Sequence, residues 1–272
     1  PFPEDQLLQG LRSITGTTTP TDPITTYVSI AAVADNTIIY YDQWENGYDA
    51  DIANPANLYS GGNPGGTQIW GDNDPTNGAP PPACVGGTNA GSSCSVGSEC
   101  PGGTCNTSDL VNAGRVIILK NDVVTTNLSA IDFDGRDKLA ATKTVAVSHT
   151  AWAAGSGTLL AGSVEVFDTN SWGTDYRAPV GANIPDGTDF QMFEYTSLAI
   201  LAGEGGATVQ IDKDANGVFE TTQVLSEGQS YFVNGGVNVG GRIVSDKPVQ
   251  VDILTGDIGS TYESRDSALL PV

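Results

Sequence analysis

Residues 212–217, Asp-Lys-Asp-Ala-Asn-Gly, have the D-x-D-x-N-G opening of a calcium loop. Oxygen ligands at the first, third and fifth positions, with glycine at the sixth for the sharp turn, suit a hard divalent cation. The ninth position is Glu220, so Asp212, Asp214, Asn216 and Glu220 form a candidate Ca²⁺ set. The twelfth position is Gln223 rather than Glu, and the flanking residues alternate as strands do. A hairpin turn closed by Asn-Gly explains the same residues with no metal.

A second group is acidic and aromatic. From Tyr40 the chain reads YYDQWENGYDAD. Tyr41, Trp44 and Tyr48, with Trp70 further on, offer ring faces for a sugar-stacking platform. Asp42, Glu45, Asp49, Asp51 and Asp72 offer carboxylates for a cation. Alternating aromatics also serve ordinary sheet packing.

Cys84, Cys94, Cys100 and Cys105 lie in a segment with almost no apolar residues, which cannot fold by burial. Two local disulfides would staple it, and they imply an oxidising, extracellular setting. A tetrathiolate zinc site prefers paired C-x2–4-C ligands, and only Cys100 and Cys105 are so spaced. Pairing among four cysteines has three solutions, which sequence leaves open.

Enzyme signatures are lacking. His149 is the single histidine, at the end of an apolar strand pattern, where a core or edge position accounts for it. No G-x-S-x-G elbow, phosphate loop or dinucleotide fingerprint occurs. Thirty-two Asp+Glu offer many pairs for glycoside hydrolysis, and nothing singles out two. The expectation is no enzyme and no catalytic residue. Asn106-Thr-Ser and Asn127-Leu-Ser fit the glycosylation sequon.

Composition narrows the class. The 272 residues carry 11 Lys+Arg against 32 Asp+Glu, a formal net charge of −21. That balance argues against nucleic acid, whose phosphates need basic residues. Charged residues make up 16%, below the roughly 25% of an average soluble domain, so the surface is polar but mostly uncharged. With 34 Gly and 15 Pro the chain is turn-rich, which favours an all-β fold. No apolar run reaches the length of a membrane span. The chain opens at Pro1 rather than Met, which fits a removed leader or a fragment.

Self-similarity organises the chain. YVSIAAVADNTIIYYDQWENG from Tyr27 matches SLAILAGEGGATVQIDKDANG from Ser197 at a constant offset of 170. Downstream, AGRVIIL from Ala113 matches EGQSYFV from Glu227. DKLAATKTVAVSH from Asp137 matches GRIVSDKPVQVDI from Gly241 at an offset of 104. The drop from 170 to 104 implies a 66-residue insertion in the first copy, placed at about 50–111 with the cysteines. The expected organisation is two related β-sandwich-like units. An extended N-terminal arm covers 1–24, with Leu7, Leu8 and Leu11 as a short helix. Unit one covers 25–150, a linker with one strand 151–194, and unit two 195–257. The remainder, 258–272, is a tail or the start of a further unit.

The SDKPVQVDILTGD strand, its partner ATKTVAVSHTAW and the DNTIIYYDQWENGYD hairpin resemble the β-rich N-terminal region of large secreted bacterial surface proteins. The ATK/SDKPV-x-V strand is similar to the repeat of the IgG-Fc-binding-protein N-terminal domain family. The resemblance implies a secreted, adhesive or scaffold-like protein and carries over no catalytic residue and no antibody binding.

The sequence therefore points to a secreted structural subunit of an extracellular filament, sheath or surface layer, self-associating by strand or arm exchange. The alternative is a cell-surface adhesin module for glycan or protein, with calcium as its one candidate cofactor.

Overall fold

The computed structural model describes residues 10, 12–13, 23–124, 130–131, 133, 135–153, 160–185, 193–257 and 264–272. Leu7, Leu8, Leu11 and Asn127 lie outside them. The fold is all-β, as the composition requires.

Unit one begins with β1 (Ile24–Ala32), whose alternate residues are buried, and β2 (Ile39–Asp42). β3 (Gln68–Trp70) follows a long connection, and then a two-stranded hairpin of β4 (Ala83–Gly86) and β5 (Gly103–Asn106). β6 (Val116–Val123), β7 (Lys138–Ala141), β8 (Val145–Ala153) and β9 (Leu160–Glu165) complete it. β6-β1-β8-β9 form one layer and β3-β2-β7 the other. Between them lies a core of Val28, Ile30, Ile39, Tyr41, Trp70, Ile117 and Leu119.

Unit two repeats this plan with β11 (Tyr195–Ala202), β12 (Ala207–Asp212), β13 (Thr221–Leu225), β14 (Ser230–Val233), β15 (Arg242–Gly256) and β16 (Ser264–Ala268). The strand register repeats with it. Val28 pairs with Leu119 and His149, and Leu198, 170 residues on, pairs with Val233 and Ile253. Ile39 pairs with Ala141 as Val209 does with Ser245. Asp42 sits opposite Lys138 as Asp212 sits opposite Arg242, an acid facing a base in both copies.

The insertion is not one block. Tyr41 pairs with Gln68 as Ile211 pairs with Thr221, so the offset is already 153 at β3. It falls to 114 at β6 and to 104 at β7. The 66 extra residues are thus shared among the connections β2–β3, β3–β6 and β6–β7. Sequence comparison sees only their sum, because the short matching strands between the loops carry few residues.

The expected linker also resolves into sheet. β9 joins unit one by pairing with β8. β10 (Gly173–Arg177) joins unit two by pairing with β15, and Tyr176 is buried there with its hydroxyl on the Val249 carbonyl. Trp172 packs beside Gly203. β15 serves both layers of unit two, first beside β12 and β10, then between β11 and β16, with Pro248 at the turnover. Proline has no N–H to donate, so a point between ladders suits it.

β16 holds in unit two the place β9 holds in unit one. Asp252 pairs with Ala268 as Ser148 pairs with Glu165. β16 and β9 then pair with each other in parallel. The strand order β14-β11-β15-β16-β9-β8-β1-β6 is palindromic about that pair. Two equivalent halves meeting through parallel strands present equivalent faces to opposite sides. Leu198 and Ile200 accordingly face the core of unit two. Tyr195, Ala199 and Leu254 face the other side and cluster with Ile24 and Ala151 of unit one. All eight residues of β11 are buried for this reason.

Candidate functional site

The turn after β12 brings three carboxylates together. Asp212, Asp214 and Glu220 each place an oxygen within 4.8 Å of the others. Asp212 is buried at the end of β12, where its carboxylate accepts the N–H groups of Asn216 (3.1 Å) and Gly217 (2.9 Å). Asp214 accepts from the Asn216 N–H at 3.1 Å and from its Nδ2 at 2.8 Å. Glu220 accepts the Lys213 N–H at 3.2 Å. The positive φ values of Ala215 (62°) and Gly217 (88°) let the chain fold back tightly enough for this. Desolvation by the neighbouring groups pushes the exposed Asp214 carboxyl up, but hydrogen bonding with Glu220, Asn216 and Asp212 outweighs it and holds the group below its ordinary value. Carboxylates this close repel unless a proton or a cation lies between them.

Asn216, the remaining member of the expected ligand set, is held by the turn itself. Its Oδ1 accepts the Val218 N–H at 2.7 Å, and its Nδ2 faces Asp214. Gln223 lies in β13 opposite Val209, away from the turn. The loop is a hairpin connection in its backbone and a three-carboxylate cluster in its side chains.

The aromatic platform is not there. Tyr41 is 2% exposed and Trp70 is fully buried. Their rings stack at 5.2 Å, Phe133 meets Tyr41 edge-on, and the Tyr41 hydroxyl donates to Asp137 at 2.6 Å. Both side chains point from the inner face of their strands into the core, so neither offers a ring to a sugar. Trp44 and Tyr48 are half-buried. The Arg136 guanidinium covers the Trp44 ring at 4.2 Å, and the Tyr48 hydroxyl donates to the Arg136 carbonyl at 2.7 Å. This segment docks on unit two. Tyr48 lies against Gly228, and Lys138 pairs with Glu227 at 3.0 Å.

The acids of this segment organise loops. Asp49 accepts the N–H groups of Ala56 (2.9 Å) and Asn57 (3.2 Å) and the Thr67 hydroxyl (2.7 Å). Asp42 accepts the Asp49 N–H at 2.8 Å, and burial raises its carboxyl above the ordinary value despite that bond. Asp51 and Asp72 hold their own turns through Ala53 and Asp74. Glu45 lies half-buried in the same turn. Sequence reading missed Asp109, which holds the N–H groups of Gly71 and Asn73. Its only signal is an acid within a loop rich in Gly and Asn.

The cysteines pair as Cys84–Cys100 and Cys94–Cys105. Their sulfurs are consumed in disulfides, so the zinc alternative has no thiolates. The sulfurs form the buried centre of the β4–β5 hairpin, where apolar side chains are scarce. His149 is buried on β8 between Val28 and Val164. Burial pushes its pKa down to about 3.

No protein family, curated protein or solved structure is found to match this chain. The fold defines the class: an all-β chain of two related sandwich units sharing a continuous sheet, with a disulfide-bonded hairpin in the first.

Proposed function

We propose that this chain is a structural subunit of an extracellular assembly, a filament, sheath or surface layer, that grows by β-strand addition between copies. The observation that supports the reading is the edge of the sheet at β13, which pairs on one side only among the described residues. This edge strand reads Thr-Thr-Gln-Val-Leu, with no Lys and no Pro, and its Val224 is 76% exposed. Monomeric proteins usually protect such an edge with charge, proline or a bulge. The disulfide-bonded hairpin agrees with an oxidising compartment. Two routes of exchange are less favoured. β16 is paired on both sides within its own chain. Gly10 and Ser13 of the arm lie against Phe232 and Asn234 of the same chain. Negative-stain microscopy of the secreted protein, with sizing of the purified chain, tests the reading. Regular fibres or sheets support it, and a monomer at every salt concentration overturns it.

A second reading, an adhesive module strengthened by calcium, is favoured by the three carboxylates of Asp212, Asp214 and Glu220. Calcium at millimolar concentration should then raise the melting temperature by several degrees, an effect that Asp214→Asn removes. Melting that ignores both calcium and chelator would leave the turn a plain hairpin.

A further inference from the structure

We propose that the β13 edge of one copy adds antiparallel to the β6 edge of the next, with Val224 opposite Val116 and Glu220 opposite Lys120. The proposal rests on the assembly reading above and names the surfaces that would carry it. β6 ends both eight-strand hydrogen-bonded paths through the molecule, whose other ends are β13 and β14; β13 and β6 each have one strand neighbour among the described residues, and every residue of β14 is buried or half-buried. Both end strands expose a valine: Val224 at 76% and Val116 at 48%.

Burial fixes the parity of the register; of the two-residue slips that keep it, one sets Glu220 against Asp122 and the other sets it against Ile118, without a base. On β13, Thr222 and Val224 face outward. On β6, Val116, Lys120 and Asp122 face outward. Setting Val224 against Val116 sets Thr222 against Ile118 and Glu220 against Lys120. Every exposed position then shares one face. A slip of one residue would set Val224 against the buried Ile117 or the half-buried Arg115 and lose that agreement.

Charge agrees with the same register. Copies with a net charge of −21 repel one another, so a productive contact must avoid setting acid against acid. β13 is uncharged, and the acids at its N-terminal end, Asp214 and Glu220, are exposed. Lys120 is exposed on β6 in a chain with only 11 basic residues. The contact joins two different surfaces and leaves the same pair open at each end, so it propagates unless the rotation between copies closes a ring.

The test uses the full chain in chelator, which keeps cations off Glu220. Val224→Lys places a charge on the edge at a position that contributes little to the fold. It should raise the concentration at which assembly begins about tenfold or more, with the melting temperature unchanged. Lys120→Glu should do the same. Mixing Val116→Cys protein with Val224→Cys protein under mild oxidation should give the mixed disulfide dimer in preference to either homodimer. A wild-type chain that stays monomeric sinks both the assembly reading and this contact. Assembly that persists in Val224→Lys, or crosslinking only of Val224→Cys with itself, overturns the contact and leaves the assembly reading standing.

Discussion

Single side chains here act chiefly by satisfying loop backbone. Asp49 is the clearest case, since one carboxylate holds two amide groups and a hydroxyl of a connection that has little apolar content. Asp49→Ala should cost about 2 kcal/mol, chiefly because the buried Thr67 hydroxyl loses its acceptor, while the N–H of exposed Ala56 turns to water. Urea unfolding measures it, and a loss under ~1 kcal/mol would show that water replaces the carboxylate. His149 sets a pH dependence. Its folded pKa, about 3, lies below the ordinary 6.5, so the unfolded chain binds the proton first as pH falls. Stability is therefore intact above pH 6.5 and declines below it, by about 1.4 kcal/mol per pH unit towards the folded pKa. Asp42 works in the opposite sense: its raised pKa favours the fold at acid pH and opposes it as the carboxyl ionises. Denaturant titrations between pH 7 and 4.5 should show the decline in the wild type and a flatter curve in His149→Gln.

At the scale of elements, the two units divide their stability differently. Unit two has a dense aliphatic core and short connections. Unit one sets long polar loops on a core of similar design, and one of them depends on its disulfides. The bridges close segments of 16 and 11 residues, worth about 3 kcal/mol each in chain entropy. Reduction should open residues 83–106 while the Tyr41–Trp70 core stays packed. Hydrogen exchange would then rise in the hairpin alone, and the near-ultraviolet signal of the stacked rings would persist. Loss of that signal on reduction would mean that the hairpin supports the whole of unit one. Much at this scale is legible in sequence. The offset of 170 places Asp42 and Asp212 correctly, because alternating strands of fixed length conserve register. The three-way division of the insertion is not legible, since β3 is only three residues long and its partner is chosen by geometry.

For the molecule as a whole, the parallel β16–β9 pair decides the architecture. It makes one sheet of two units and turns their cores to opposite sides. The back face of β11 is thereby covered by unit one, so the units should unfold together in one transition. Gly228 lies at their joint with φ near 69°, and a Cβ there would sit 2.1 Å from the Tyr48 hydroxyl. Gly228→Ala should cost about 2 kcal/mol through strain and clash, and should split the calorimetric transition in two. A single unshifted transition would show that Tyr48 moves aside freely.

The sequence by itself determined the class, the repeat and its register, and the place of the acid-rich turn at residues 212–220. Those properties follow from local alternation, turn residues and spacing, which each segment carries alone. Only the tertiary structure decided which side chains are exposed. Tyr41 and Trp70 look identical on paper to a sugar platform. They are core because β2 and β3 turn that face inward. The joining of the units through β9 and β16 is likewise a contact between residues far apart in the chain, and the pairing of the cysteines and the use of Asp42 and Asp49 as loop anchors follow from the path the fold gives to shorter loops. Such contacts depend on how whole layers stack, and the stacking is set by the summed burial of many residues rather than by any one motif.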